Sequence, residues 1–177
     1  RAPWQGFNLG HHVGDDPGAV KANRVELLSS LPAGTEVQWL EQVHGAEVVE
    51  ACGRGAPEAD ACWSREPGMA CAVMTADCLP VLFASADGEV VAAAHAGWRG
   101  LLNGVLENTV AAMDAAPAGI MAWMGPAIGP AAFEVGPEVR EAFMETAPVA
   151  DAFIPSARTG HFLADIYQLA RHRLAAV

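Results

Sequence analysis

Cys78 and His95 stand near the two ends of a small-residue, apolar stretch, MTADCLPVLFASADGEVVAAAHAGWRG, which runs from Met74 to Gly100. Asp77 sits beside the thiol and Arg99 beyond the imidazole. These residue types suit three kinds of chemistry. A buried free cysteine and a hydrogen-bonded histidine would serve packing alone. A Cys–His pair could form a nucleophile, with Asp77 or another carboxylate as orienter. The same two donors could instead hold a zinc ion, given one more ligand, and leave a fourth position for water or substrate. His44, at the end of another expected strand, is the best third ligand. His11 and His12 are the nearest alternatives and His161 a weaker one. His172, between Arg171 and Arg173, reads as a residue of a solvated helix face.

Whether Cys78 and His95 meet depends on the elements that carry them. LPVLFAS and EVVAAAH read as two strands joined by ADGE, whose Asp-Gly is a strong hairpin signal. A two-residue loop at Asp87-Gly88 puts His95 opposite Pro80 and Cys78 opposite Gly97. Facing or diagonal side chains there lie within roughly 5–8 Å at Cβ, close enough for a shared metal or a thiol–imidazole contact. The chain then turns at Gly97 and is expected to enter a helix near Gly100. A helix N-terminus favours an anion, and Arg99 stands beside it. Asp77 could move a proton or orient a ligand, or simply cap a turn.

The remaining chain alternates strand and helix signals. DDPGAVKANRVELLSSL predicts a helix capped by Asp16, with Pro17 in its first turn. VQWLEQV (37–43) predicts a strand facing inward through Val37, Trp39 and Val43, followed by a second strand after Gly45. A short extended piece is expected at 59–63, a buried strand at 70–75, a helix at 101–113 and a strand at 120–124. PEVREAFMETA and LADIYQLARHRLAAV predict two further helices. Interleaved elements of this kind point to the α/β (α+β) class with mixed sheets.

A length of 177 residues suggests a single domain, 1–177, with a sizeable core. The formal charge of −11 argues against a nucleic-acid partner. No apolar run approaches the ~20 residues of a membrane span, and no signal peptide is visible. Four cysteines without a CxxC pair do not resemble a secreted disulfide scaffold, so a cytoplasmic protein is expected. Cys52, Cys62 and Cys71 are assigned to structure.

Taken together, QVHG (42–45), TADCLP (75–80), HAGWRG (95–100) and GPAIGP (125–130) resemble the YfiH family, also called laccase-domain or polyphenol oxidase proteins. NLGHHVGDDPGAVKANR (8–24) is similar to its N-terminal segment. The resemblance covers nearly the whole chain. It implies a monomeric αββα-type sandwich and a zinc site formed by His44, Cys78 and His95. It also places Asp77 and Arg99 beside the metal as catalytic residues with Cys78. Asn8, Arg24, Gln42 and Arg99 match positions that bind substrate. The implied activity is phosphorolysis of adenosine, inosine, guanosine or methylthioadenosine, with adenosine deamination as a second activity. Other members have been called copper-dependent laccases, and a bacterial branch edits peptidoglycan precursors by hydrolysis.

The sequence departs from the family pattern at AAFEVG (131–136), where a Cys-Cys-Tyr-like stretch is usual. The family's first strand and its C-terminal strands are not found in this sequence. True multicopper oxidation needs about ten histidines in paired motifs, whereas this chain has six and no His-x-His. A single copper at the same three ligands, a Cys78–His95 hydrolase and a non-catalytic nucleoside-binding module are the competing readings. Trp98 could stack on a purine or simply pack.

Overall fold

The chain order in the computed structural model, which describes Trp4 and residues 6–177, begins with helix α1 (Pro17–Ser30). Strands β1 (Glu36–Gln38), β2 (Val48–Glu50), β3 (Ala61–Ser64) and β4 (Met69–Cys71) follow. The hairpin is β5 (Leu79–Ser85) and β6 (Val91–Ala96). After it come α2 (Trp98–Leu102), α3 (Val105–Ala112), β7 (Ile120–Met124) and β8 (Glu134–Val135). The chain then forms α4 (Pro137–Thr146), β9 (Phe153–Pro155), β10 (Phe162–Ala164) and α5 (Ile166–Leu174). The α/β class with mixed sheets expected from the sequence is what forms.

A five-stranded sheet, in the order β2-β3-β6-β5-β7, carries the architecture. Its β2–β3 pair is parallel and the other three pairs are antiparallel. The hairpin has the expected register: Pro80 faces His95 and Leu79 faces Ala96. Its tip is a turn in which the Gly88 N–H donates to the Ser85 carbonyl at 2.9 Å, with Gly88 at φ +76°. One face of the sheet buries Leu79, Val81 and Phe83 against Leu101, Leu106, Phe143, Ile166 and Leu169. Burying side chains of this size contributes about 1.5–3 kcal/mol each, and this cluster is the main source of stability. The other face carries Cys62, Ala93 and His95, all buried. Toward β7 that face is open, and Leu82, Met121 and Trp123 are exposed.

Helix α1 forms as read. Asp16 Oδ1 accepts from the Ala19 N–H at 2.9 Å, and Pro17 opens the helix. Elsewhere the structure corrects the sequence reading. The strand expected over 37–43 ends at Gln38, and the buried positions are Gln38 and Leu40, with Val43 exposed. A buried glutamine is tolerable because its amide is satisfied. Its Oε1 accepts from the Cys52 and Gly53 N–H groups, and its Nε2 donates to the Trp39 carbonyl. Expected strand 70–75 shortens to half-buried β4, which pairs with β1 in a separate parallel two-stranded sheet.

The helix expected at 101–113 starts earlier, at Trp98, and is broken into α2 and α3. Gly104 at φ +88° makes the break, a conformation suited to glycine. The last helix begins at Ile166 rather than Leu163, because Leu163 and Ala164 belong to β10 and Asp165 caps the helix. The three-stranded β8-β10-β9 sheet had no counterpart in the sequence reading. No helix among the described residues is long and apolar enough to cross a membrane.

Candidate metal centre

His44, Cys78 and His95 come together at one end of the hairpin, with their ligand atoms all within 4.8 Å of one another. Three structural features deliver them. His95 lies near the end of β6, facing Pro80. Cys78 immediately precedes β5, so the hairpin register alone brings it beside His95. His44 arrives from a distant loop and meets His95 edge-on, with ring centroids 4.8 Å apart at 77°. Two imidazoles and a thiol in one cluster are a donor set that zinc favours. The residues present therefore fit a single soft-to-borderline divalent ion.

Glycines make the close approach possible. A Cβ at Gly97 would stand 3.0 Å from Cys78 Sγ and 3.1 Å from His44 Cδ2. A Cβ at Gly100 would stand 2.9 Å from the Gly45 carbonyl oxygen. The HAGWRG and QVHG segments thus abut through backbone, which explains why glycines occupy both positions.

His44 sits in the left-handed region, at φ +61°. That conformation costs a non-glycine residue about 1–2 kcal/mol. The compensation comes from Asp60, a residue the sequence reading did not single out. Its buried carboxylate accepts backbone N–H groups from Val43 (3.2 Å), His44 (3.0 Å) and Gly45 (2.6 Å). It also meets His95 Nδ1 at 2.8 Å. Burial opposes ionisation of Asp60, but the His95 and backbone hydrogen bonds outweigh it and hold the carboxyl below its ordinary range. Burial likewise opposes a charged His95, yet hydrogen bonds to Asp60 and Cys78 and their negative charges raise it to about 9. No local signal marks Asp60 in the sequence, because its partners lie 15 to 35 residues away.

The other expected site residues are placed as follows. Asp77 is exposed next to Cys78, and its backbone carbonyl accepts the Ile128 N–H at 2.9 Å. Arg99 is exposed, and its guanidinium lies 4.3 Å from the centroid of the Trp98 ring. Trp98 packs partly buried against the main core, which favours the packing role over base stacking. Helix α2, which carries Arg99, starts at Trp98, slightly before the expected Gly100, and is only five residues long.

Asn8, Arg24 and Gln42 meet around the segment 73–76. Gln42 exchanges two hydrogen bonds with the Met74 backbone, each 2.8 Å. Arg24 stacks 3.8 Å from the Trp39 ring centroid and donates to the Leu9 carbonyl. Asn8 lines a cleft of ≈ 530 Å³ together with His12, Met74, Thr75 and Ala76. None of the three ligands lines that cleft, although Thr75 and Ala76 lead directly into Asp77 and Cys78. Cleft size alone says nothing about reactivity, whereas the donor cluster holds groups that could bind a metal ion.

His11 and His12 are exposed along the neighbouring wall, not among the ligands. His161 lies in the β9–β10 connection, its Nδ1 3.3 Å from the Thr159 carbonyl oxygen. His172 pairs with Asp151 on the surface of α5. The GPAIGP loop is held against the site by Gly125 N–H to the Pro80 carbonyl and Ile128 N–H to the Asp77 carbonyl. Tyr167 adds a brace that sequence reasoning missed: its hydroxyl accepts the Ala127 N–H and donates to the Gly125 carbonyl.

Comparison with known proteins identifies the family and the fold. A family model described as multi-copper polyphenol oxidoreductase laccase matches residues 1–177. Purine nucleoside phosphorylase PA4543 of Pseudomonas aeruginosa is 55% identical over 177 residues, 99% of this chain and 72% of that protein. Purine nucleoside phosphorylase YfiH of Escherichia coli is 54% identical over 178 residues, with the same coverage of 99% and 72%. Among solved structures, Neisseria meningitidis protein NMB0706 is 49% identical and superposes with a TM-score of 0.93 over 99% of this chain and 73% of that one. YlmD from Geobacillus stearothermophilus is 30% identical, with a TM-score of 0.90 over 99% and 72%. With its motifs, its fold and a family match over residues 1–177 in agreement, the chain belongs to the laccase-like polyphenol oxidoreductase family, whose relatives include YfiH.

Proposed function

We propose that this chain is a zinc-dependent purine nucleoside phosphorylase, acting on adenosine, inosine, guanosine or methylthioadenosine, with adenosine deamination as a second activity. The observation that carries the reading is the His44–Cys78–His95 cluster in a chain 55% identical to a protein named purine nucleoside phosphorylase. Among the described residues one three-donor cluster is found, which suits a single zinc ion and falls short of a multicopper set.

In phosphorolysis a phosphate oxygen bonds to the ribose anomeric carbon and the bond to the base nitrogen breaks. The bonding electrons leave with the base, which gains a proton. His44, Cys78 and His95 would hold a zinc ion, which when bound would supply Lewis-acid stabilisation of oxygen charge. Arg99, an exposed cation with no carboxylate partner among the described residues, is suited to hold the phosphate dianion. Asp77, exposed beside Cys78, is suited to exchange the proton. Asn8, Arg24 and Gln42 shape the adjoining wall where the nucleoside would rest. Four free cysteines fit a reducing, cytoplasmic setting.

The test is chromatography of adenosine incubated with purified protein, with and without phosphate, beside Cys78→Ala and with metal content measured. Phosphate-dependent adenine that disappears in the variant is the expected result. Inosine formed without phosphate makes the chain chiefly a deaminase. Bound copper with oxidation of a phenol, and no nucleoside turnover, overturns the proposal.

A further inference from the structure

We propose that Asp60 is the positioning residue of the metal centre: one carboxylate sets the tautomer of His95 and the backbone turn that presents His44. The inference rests on the metal reading above. Asp60 is fully buried and uses both oxygens. Oδ1 meets His95 Nδ1 at 2.8 Å and accepts the His44 N–H at 3.0 Å. Oδ2 accepts the Val43 N–H at 3.2 Å and the Gly45 N–H at 2.6 Å.

An ionised carboxylate only accepts hydrogen bonds. Its contact with Nδ1 therefore places a proton on that nitrogen. In the neutral ring Nε2 then keeps an unprotonated lone pair that can ligate a metal, on the side where His95 meets Cys78. The reverse tautomer would block the metal. At the same time three consecutive N–H groups converge on the carboxylate and hold His44 at its positive φ. Asp60 is further tied to β6, since its backbone carbonyl accepts the His95 N–H at 2.7 Å. Two of the three ligands, from segments far apart in sequence, are thus oriented by one residue outside every motif.

Asparagine separates positioning from filling. Asp60→Asn keeps the shape and one carbonyl oxygen, but its NH2 group presents donors where one of the two oxygens now accepts. In the full chain, zinc affinity is measured by competition with a chromophoric chelator, and cobalt(II) substitution reports the thiolate-to-metal absorption band. We expect folded Asp60→Asn protein with zinc affinity reduced about 10- to 100-fold and an altered cobalt spectrum. A lowered melting temperature with affinity within about twofold of wild type and an unchanged spectrum would make Asp60 merely structural.

Should the variant not fold, long-range 1H–15N NMR of the zinc-loaded wild type decides. A proton on Nδ1 of His95 supports the assignment, and metal at Nδ1 overturns it. Wild type that binds no zinc sinks the metal reading itself. Tight wild-type binding matched by Asp60→Asn sinks only the role of Asp60.

Discussion

Two histidine–aspartate pairs in this molecule have nearly the same contact distance and opposite consequences. His95 and Asp60 meet at 2.8 Å with side chains 4% and 0% exposed. His172 and Asp151 meet at 2.9 Å with side chains 36% and 59% exposed. Water competes for the second pair, and neither side chain has another hydrogen-bonding partner among the described residues. The first pair is sealed by protein, and its carboxylate serves a strained turn as well as an imidazole. Distance alone therefore says little about what an ion pair does. Burial, and the number of groups that depend on each partner, decide it.

The largest difference should appear on truncation. Asp60→Ala strands three backbone N–H groups and a buried imidazole, and is expected to cost about 3–5 kcal/mol in urea denaturation. Asp151→Ala should stay within about 1 kcal/mol, and salt should narrow even that. Equal losses in the two variants would refute the contrast.

A smaller effect is expected from crowding the buried pair's neighbourhood. Gly97→Ala drives a methyl against Cys78 Sγ and His44 Cδ2. The predicted cost is about 1–3 kcal/mol together with weaker metal binding, read by melting temperature and zinc titration. Gly119→Ala, where an added Cβ meets nothing within 4 Å, is the matched control and should be nearly neutral.

A further predicted signal is a pH dependence of the metal-free protein. His95 is raised from an ordinary value near 6.5 to about 9. Its contribution is therefore complete below about 6.5 and fades as pH rises through about 9. Asp60 is lowered from an ordinary value near 3.8, so its contribution is complete above that and fades as pH falls further. Stability should thus be greatest in the mildly acidic range, and Asp60→Ala should flatten the profile. A wild-type profile rising steadily to pH 10 would contradict this.

Much of the centre could be read before the fold. The Asp-Gly turn and the alternating strands around it determine the register that pairs Pro80 with His95, and so bring Cys78 to His95. That information is local: a turn and a period-two pattern suffice. His44 already led His11 and His12 as third ligand because it stands at an expected strand end, and the family resemblance agreed with that choice. Its actual delivery needs backbone contact between Gly45 and Gly100.

Other features needed the tertiary structure. Gln38 and Leu40 are buried where alternation favoured Val37, Trp39 and Val43, because distant Cys52 and Gly53 satisfy the glutamine. The helix beyond the hairpin broke at Gly104, which apolar spacing alone could not show. Asp60 and Tyr167 remained invisible for the same reason. Each is an ordinary residue until folding surrounds it with groups from far along the chain. The amino-acid order determined the hairpin, the helix caps and the donor types. Only the packed fold decided which carboxylate is stripped of water and which imidazole it holds, because desolvation arises from neighbours that sequence proximity does not supply.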